Sequence, residues 1–236
     1  MKKNDPVGAA IWDYHNQNEP GDIVVECDVL DDDVLPIDLL FRTFDEFPKL
    51  EVTAMKHCKG KILDVGPAAG PHAKYLVKQG FDVTTVEISP ESHRYLELAL
   101  PEAKHYHTHI MDFNTGKYDT ILLLMNGIGL AGTYKKVTPF LKHLATLLEP
   151  GGTIIGDSSD VQNVFTDDEG GLWVDLNAEY YGEFEFNMRY KDTESGIFNW
   201  VYIDYKNLEK SATEAGFKLT MLDDDENSYL VQFTKL

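Results

Sequence analysis

Positive charge is scarce in this chain of 236 residues. Lys and Arg number 21 against 40 Asp and Glu, a formal net charge of −19 with His neutral. Nucleic-acid binding rests on Lys and Arg neutralising phosphates, so DNA and RNA are disfavoured as partners. Anionic membrane surfaces are disfavoured on the same ground. Cysteine is nearly absent: Cys27 and Cys58 are too few for a disulfide framework and lack metal-ligand spacing. Long apolar runs are missing as well. The longest aliphatic stretch, from Ile121 to Met125, is far short of a bilayer span. No apolar stretch of signal-peptide length follows Lys2 and Lys3. Together these absences predict a cytoplasmic protein in a reducing compartment. What is present is a hydrophobic share of 43% and an aromatic share of 11%, enough for a well-buried core.

Two rhythms divide the chain. Residues 1–57 read as an N-terminal extension. Asp5 and Pro6 open a short helix as N-cap and first residue. A strand follows over 23–29, then an aspartate turn at 31–33, then a helix over 45–58 stopped by Gly60. From Lys61, strand and helix alternate. Strands are predicted at 62–65, 82–88, 103–106, 118–125 and 153–157, and helices at 72–79, 90–99 and 135–148. This β-then-α order calls for a parallel sheet with helices on both faces. The tail differs: a β-hairpin over 183–190 and 197–204, a helix over 205–215, and a closing antiparallel pair, 217–222 and 229–234, around an acidic turn.

The most informative segment is Asp64-Val65-Gly66-Pro67-Ala68-Ala69-Gly70. Glycine after a buried strand lets the backbone turn sharply and approach a ligand closely. The helix behind it presents free N–H groups to an anionic group. Glu87 ends the next strand, where a carboxylate can hold the hydroxyls of a ribose. The pair points to a nucleoside-containing cofactor. The dinucleotide pattern G-x-G-x-x-G needs glycines at 66, 68 and 71, where this chain has Gly66, Ala68 and Pro71. Tyr202 and Lys206 have Y-x-x-x-K spacing, so a nicotinamide-dinucleotide reductase stays open as an alternative.

With these motifs in order, 61–236 resembles the class I S-adenosylmethionine-dependent methyltransferases. The resemblance rests on the loop at 63–70, Val86-Glu87-Ile88-Ser89, Met111-Asp112-Phe113, Tyr118-Asp119, Leu148-Glu149-Pro150-Gly151-Gly152, and Gly216-Phe217 before the terminal hairpin. It implies a three-layer αβα Rossmann-like domain, an α/β fold. Its doubly wound sheet would hold seven mostly parallel strands in the order 3-2-1-4-5-7-6. One domain, 1–236, is expected, with a cap at 1–57, a cofactor-binding core at 58–236 and an inserted hairpin at 178–204. The implied cofactor is S-adenosyl-L-methionine. Asp64 and the backbone of Gly66, Ala68 and Gly70 would hold its methionine moiety, near the helix that carries His72. Glu87 would bind the ribose and Ile88 would pack on the adenine. Asp112 would accept from the adenine amino group, with Phe113 beside the ring. Met125 and Asn126 would face the sulfonium. The activity would be methyl transfer to a small-molecule acceptor, or cofactor binding without catalysis.

The substrate side is thinner. Methyltransferases acting on nucleic-acid bases carry [Asp/Asn/Ser]-Pro-Pro-aromatic at 126–129, and this chain has Asn126-Gly127-Ile128-Gly129. Gly127 either brings backbone close to the substrate or belongs to a flexible loop. Trp12, Tyr14 and His15 either fold over the cofactor as a lid or pack their helix. Arg42 pairs with a substrate or cofactor carboxylate, or with a local Asp. Asp157 and Asp160 follow the fifth strand and, with Tyr14 and His15, are the candidate catalytic groups. Phe184, Phe186, Met188 and Tyr190 share one hairpin face, as roof or as core. His105, His107 and His109 alternate along a strand, and no metal is expected on them. The aspartate-rich turns at 31–33 and 223–226 are expected to stay solvated. The oligomeric state is not readable.

Overall fold

The computed structural model describes residues 4–166 and 179–236. Asp5 caps helix α1 (Pro6–Asn16) by accepting the Gly8 N–H at 2.9 Å. Strands β1 (Ile23–Cys27) and β2 (Asp33–Leu35) follow, then helices α2 (Ile37–Phe41) and α3 (Lys49–His57). The helix expected over 45–58 is shorter because Pro48 restricts Phe47 to extended backbone. Helix α3 therefore starts only after that proline. Strands β3 (Lys61–Val65), β4 (Asp82–Glu87), β5 (Lys104–His107), β6 (Tyr118–Leu123) and β7 (Leu148–Ser159) then alternate with α4 (Pro71–Lys78), α5 (Pro90–Ala99) and α6 (Tyr134–Thr146). The rest comprises β8 (Glu183–Tyr190), β9 (Thr193–Glu194), β10 (Phe198–Val201), α7 (Tyr205–Glu214), β11 (Phe217–Asp225) and β12 (Ser228–Lys235).

Seven strands form one sheet in the order β5-β4-β3-β6-β7-β12-β11. Pairing is parallel from β5 to β7 and antiparallel at β12 and β11. This is the order 3-2-1-4-5-7-6 expected for the core. Successive residues serve opposite faces. Leu63, Ile121 and Ile154 pack with Phe140, Leu144 and Phe217 on one side. Ile62, Leu122 and Ile155 pack with Ala54, Leu76 and Leu230 on the other. All six of these β3, β6 and β7 side chains are fully buried, which is why the strands read as continuous apolar runs. Each is worth about 2–5 kcal/mol against truncation to Ala.

The β11–β12 turn is tighter than expected. A bulge shifts the register between Met221 and Asp223, and pairing resumes to Asp225 opposite Ser228. Only Glu226, at φ +49°, and Asn227 make the turn. Asp223 consequently lies within a strand. It pairs with Lys49 at 2.6 Å and accepts the Thr53 hydroxyl at 2.8 Å, so it is not simply solvated.

A second, antiparallel sheet has the order β10-β8-β1-β2, with β9 beside β8. Strand β1 joins the N-terminal segment to the hairpin, with Val25 opposite Met188 and Cys27 opposite Phe186. A two-stranded hairpin is marginal alone, and a third strand with an apolar face makes it stable. The 178 end of the expected hairpin insertion lies outside the described residues. No described helix is long and apolar enough to cross a membrane.

Candidate active site

The site begins where β3 stops. Gly66, Ala68 and Gly70 all hold positive φ, at +67°, +52° and +72°. The Gly66 N–H donates to the Val86 carbonyl at 2.9 Å, which ties the loop to the end of β4. A Cβ on Gly66 would make an ordinary van der Waals contact with Leu130 at 3.6 Å, so the positive φ rather than crowding calls for glycine there. At Gly70 a Cβ would lie 2.7 Å from Leu96, so glycine there lets the loop close on α5. Ala68 is strained by about 1–2 kcal/mol in this conformation. Its N–H donates to Glu87 Oε2 at 3.0 Å, which fixes the strained residue in place.

Glu87 is 6% exposed. Its Oε1 accepts the Ser89 N–H at 2.8 Å. Burial raises its pKa to about 7, against the pull of the N–H groups of Ser89 and Ala68. Asp5 stands next to it. Besides capping α1, Asp5 Oδ2 accepts the Ser89 hydroxyl at 2.8 Å and the Glu91 N–H at 3.2 Å. Gly8 permits this, since a Cβ there would lie 2.4 Å from Asp5 Oδ2.

These groups line a crevice of about 520 Å³. Gly66, Ala68, Glu87 and Ile88 form its floor, and residues 4–7 form one wall. Met188, Phe198, Asn199 and Trp200 of the second sheet roof it. Trp200 sits so close to the 127–131 turn that a Cβ on Gly129 would lie 2.1 Å from its Nε1. The sequence reading missed the wall at 4–7 and the roof at 198–200. The Asp5-Pro6 cap signalled a helix start, but nothing in the sequence says what that start lies against. Asp112 is exposed, and Phe113 is buried against Tyr106 at 5.0 Å. Neither lines the crevice, where Thr108, His109 and Ile110 hold that side.

A second cavity, about 710 Å³, opens beyond β6 and β7. Met125 and Asn126 enter it at φ +63° and +57°, and Asp157 lies on its wall. Asp157 Oδ1 accepts the Gly127 N–H at 3.2 Å. Burial raises the Asp157 pKa to about 6, partly offset by the N–H groups of Asn126 and Gly127. Glu51 on α3 accepts from the Arg42 guanidinium and meets His72 Nε2 at 2.8 Å. Burial pushes the Glu51 pKa up, but His72 and Arg42 outweigh it and hold the carboxyl below its ordinary value. Arg42 therefore neutralises Glu51; the expected partner, a ligand carboxylate or a local Asp, is corrected to this glutamate. Asp64 lies fully buried, its Oδ2 has no hydrogen-bond partner among the described residues, and burial raises its pKa to about 6.

Other candidates are occupied elsewhere. Arg94 lies over the Trp12 ring at 4.1 Å, Tyr14 stacks on Phe41 at 4.1 Å, and His15 meets Tyr95 at 5.2 Å. These contacts dock α1 on α2 and α5. Asp160 accepts the Tyr181 hydroxyl at 2.8 Å and the Gln162 N–H at 2.9 Å. Tyr202 packs edge-on against Phe184 at 5.6 Å, and Lys206 lines neither cavity. His105 contacts Thr85 Oγ1 at 2.7 Å, and His107 contacts the Ile88 carbonyl at 3.0 Å. Among the described residues no cluster of three His, Cys, Asp or Glu is arranged to hold a metal.

A methyltransferase-domain family model matches residues 38–222. The crystal structure of an S-adenosylmethionine-dependent methyltransferase from Bacteroides fragilis, in complex with S-adenosyl-L-homocysteine, is similar over 100% of this chain and 96% of that one. Its identity is 35% and its TM-score 0.92. A sugar N-methyltransferase from a Streptoalloteichus species shares the fold at TM-score 0.59 and 17% identity, over 84% of this chain and 92% of that one. A dTDP-3-amino-3,4,6-trideoxy-alpha-D-glucopyranose N,N-dimethyltransferase from Streptomyces venezuelae is 25% identical over 95 residues. That match spans 40% of this chain and 40% of that enzyme's length. The chain belongs to the class I S-adenosylmethionine-dependent methyltransferases. The nicotinamide reductase alternative falls with that assignment.

Proposed function

We propose that this chain transfers a methyl group from S-adenosylmethionine to a small-molecule acceptor. One observation carries the reading. The order of the large sheet reverses between β3 and β6, and both cavities open at that carboxyl edge, where open α/β sheets bind ligands.

The residues present suit the cofactor. The loop turns through positive φ at Gly66, Ala68 and Gly70, and Asp64 Oδ2 lacks a donor among the described residues. Asp64 and the Gly66–Gly70 backbone would hold the methionine moiety. Each Glu87 oxygen accepts one N–H and keeps capacity for a ribose hydroxyl. Ile88, 62% exposed, offers an apolar surface to the adenine. Bound there, the cofactor supplies a reactive methyl on a sulfonium. The chain's contribution is positioning, worth up to about 7–11 kcal/mol, and exclusion of water by Met188, Phe198 and Trp200. Asp157 is the group best placed to take a proton from an acceptor at the second cavity.

The acidic charge and the missing Pro-Pro-aromatic motif support a small metabolite over a nucleic-acid base. Two free thiols, Cys27 and Cys58, suit a cytoplasmic setting. Calorimetric titration with S-adenosylhomocysteine tests the binding half, and no heat of binding would refute it. Methyl transfer to a metabolite library, with products detected by mass, tests the other half; binding without any product indicates a non-catalytic cofactor binder.

A further inference from the structure

We propose that the cavity beyond β6 and β7 is an ammonium site and that the acceptor is a small molecule carrying a protonated amine. This rests on the methyl-transfer reading above and names its substrate class.

Among the described residues, five carboxylates, from Glu46, Glu51, Asp157, Asp225 and Glu226, line this cavity, and Arg42 is its one cation. Arg42 is already engaged by Glu51 and the Leu39 carbonyl. Glu46, Asp225 and Glu226 are exposed, so water screens them and they attract a cation only diffusely. Asp157 is different. It is 9% exposed, and its partners are backbone N–H groups, those of Gly127 and Asn126, with no charged group among them. It forms no ion pair among the described residues. A buried carboxylate without a counter-charge is costly, so the wall is complete only when a ligand brings the positive group. A carboxylate or phosphate on the acceptor would be repelled there, and a hydroxyl would leave Asp157 uncompensated.

The amino-acid end of the cofactor also carries an ammonium. Asp64, beneath the glycine loop with an orphaned Oδ2, gives that group its own carboxylate, and Asp157 is left to the acceptor. The proton balance closes. The acceptor R–NH3⁺ gives one proton to the Asp157 carboxylate, and the freed lone pair forms the C–N bond. The S–CH3 bond breaks with its electron pair staying on sulfur, and the product nitrogen is again cationic.

The test is ligand-observed NMR with matched aliphatic amines, alcohols and carboxylates on the full chain saturated with S-adenosylhomocysteine. Amines are expected to dominate the binders. Their affinity should fall about 10-fold or more in Asp157→Asn, on the strength of a charged hydrogen bond, and measurably less in the doubly substituted Asp225→Asn/Glu226→Gln. If Asp157→Asn does not fold, competition on the unaltered chain decides, and an amine displaced by an equal concentration of its matched alcohol overturns the proposal. Preference for alcohols or carboxylates, binding by no class, amine binding unchanged in a folded Asp157→Asn, or amines displaced by S-adenosylhomocysteine would each overturn it. Calorimetry on the same sample separates the two readings: S-adenosylhomocysteine binding without amine preference sinks only this inference, whereas its failure to bind sinks the cofactor reading.

Discussion

The floor and the roof of the candidate active site are built on different physical terms. The floor is one contiguous stretch, Asp64 to Glu87, whose strands are buried on both faces and whose loop closes within a few residues. The roof is assembled from ends of the chain that lie far apart. Asn187 reaches Glu26 across 161 positions at 2.7 Å, and most residues of β1 are only half-buried. Strained backbone at Ala68 is tolerable in the floor because buried parallel strands hold it from both sides. The roof lacks that two-sided burial and is held at its edges, by Tyr190 and Lys191 on Asp13 and by Trp200 over Gly129, while behind the wall the Arg42–Glu51–His72 joint ties the N-terminal segment to α4.

The joint gives the largest expected effect. Glu51→Ala leaves Arg42 buried without its counter-charge, and a broken buried pair costs about 3–5 kcal/mol. A urea midpoint that does not move would mean the two regions are not coupled there. Next comes the floor. Glu87→Ala should weaken S-adenosylhomocysteine binding by 10-fold or more, from a charge-assisted bond of about 1.5–3 kcal/mol; unchanged calorimetric affinity would remove Glu87 from the site. For the wall, Asp5→Ala should cost about 1 kcal/mol as a lost helix cap. Amide exchange should speed up in α1 while β3, β6 and β7 stay protected, and equal acceleration in both would erase the distinction drawn between them.

The gentlest response is to pH, since it is spread over several units. Asp64 and Asp157 are raised to about 6 and Glu87 to about 7. The folded chain thus holds these protons more tightly than the unfolded one. Their stabilising contribution is full below the ordinary carboxylate range and is lost as pH rises through 6 and 7. Burial lowers the His93 pKa, which opposes the trend on acidification. The net expectation is a melting temperature of the ligand-free protein that climbs from pH 8 to pH 5. A falling one would show that these acids are not held dry.

What the sequence made legible follows the same division. The glycine loop, Glu87 and the alternation of strand and helix in the core are written in short-range patterns, while the order of the strands came with the family resemblance. The pairing of β1 with β8 is not written anywhere local, because alternating half-apolar strands suit many partners equally. Arg42 shows the limit for side chains. Its type and rarity were visible, but its partner lies on the next helix, and only packing brings Glu51 to it. Asp157 was visible as an acid after the fifth strand, whereas its burial became apparent only once the N-terminal helices covered that edge. Phe113 reads in the sequence as a ring beside the cofactor, and the fold shows what no local pattern could, that its apolar bulk packs with Tyr106 and Tyr118.

A crystal structure of the chain soaked with S-adenosylhomocysteine tests the central claim most directly. The account predicts density along the Gly66–Gly70 loop, ribose hydroxyls on Glu87, and the sulfur turned toward the cavity that Asp157 walls. Clear density for the ligand at any other place, or an empty crevice at saturating concentration, would contradict it.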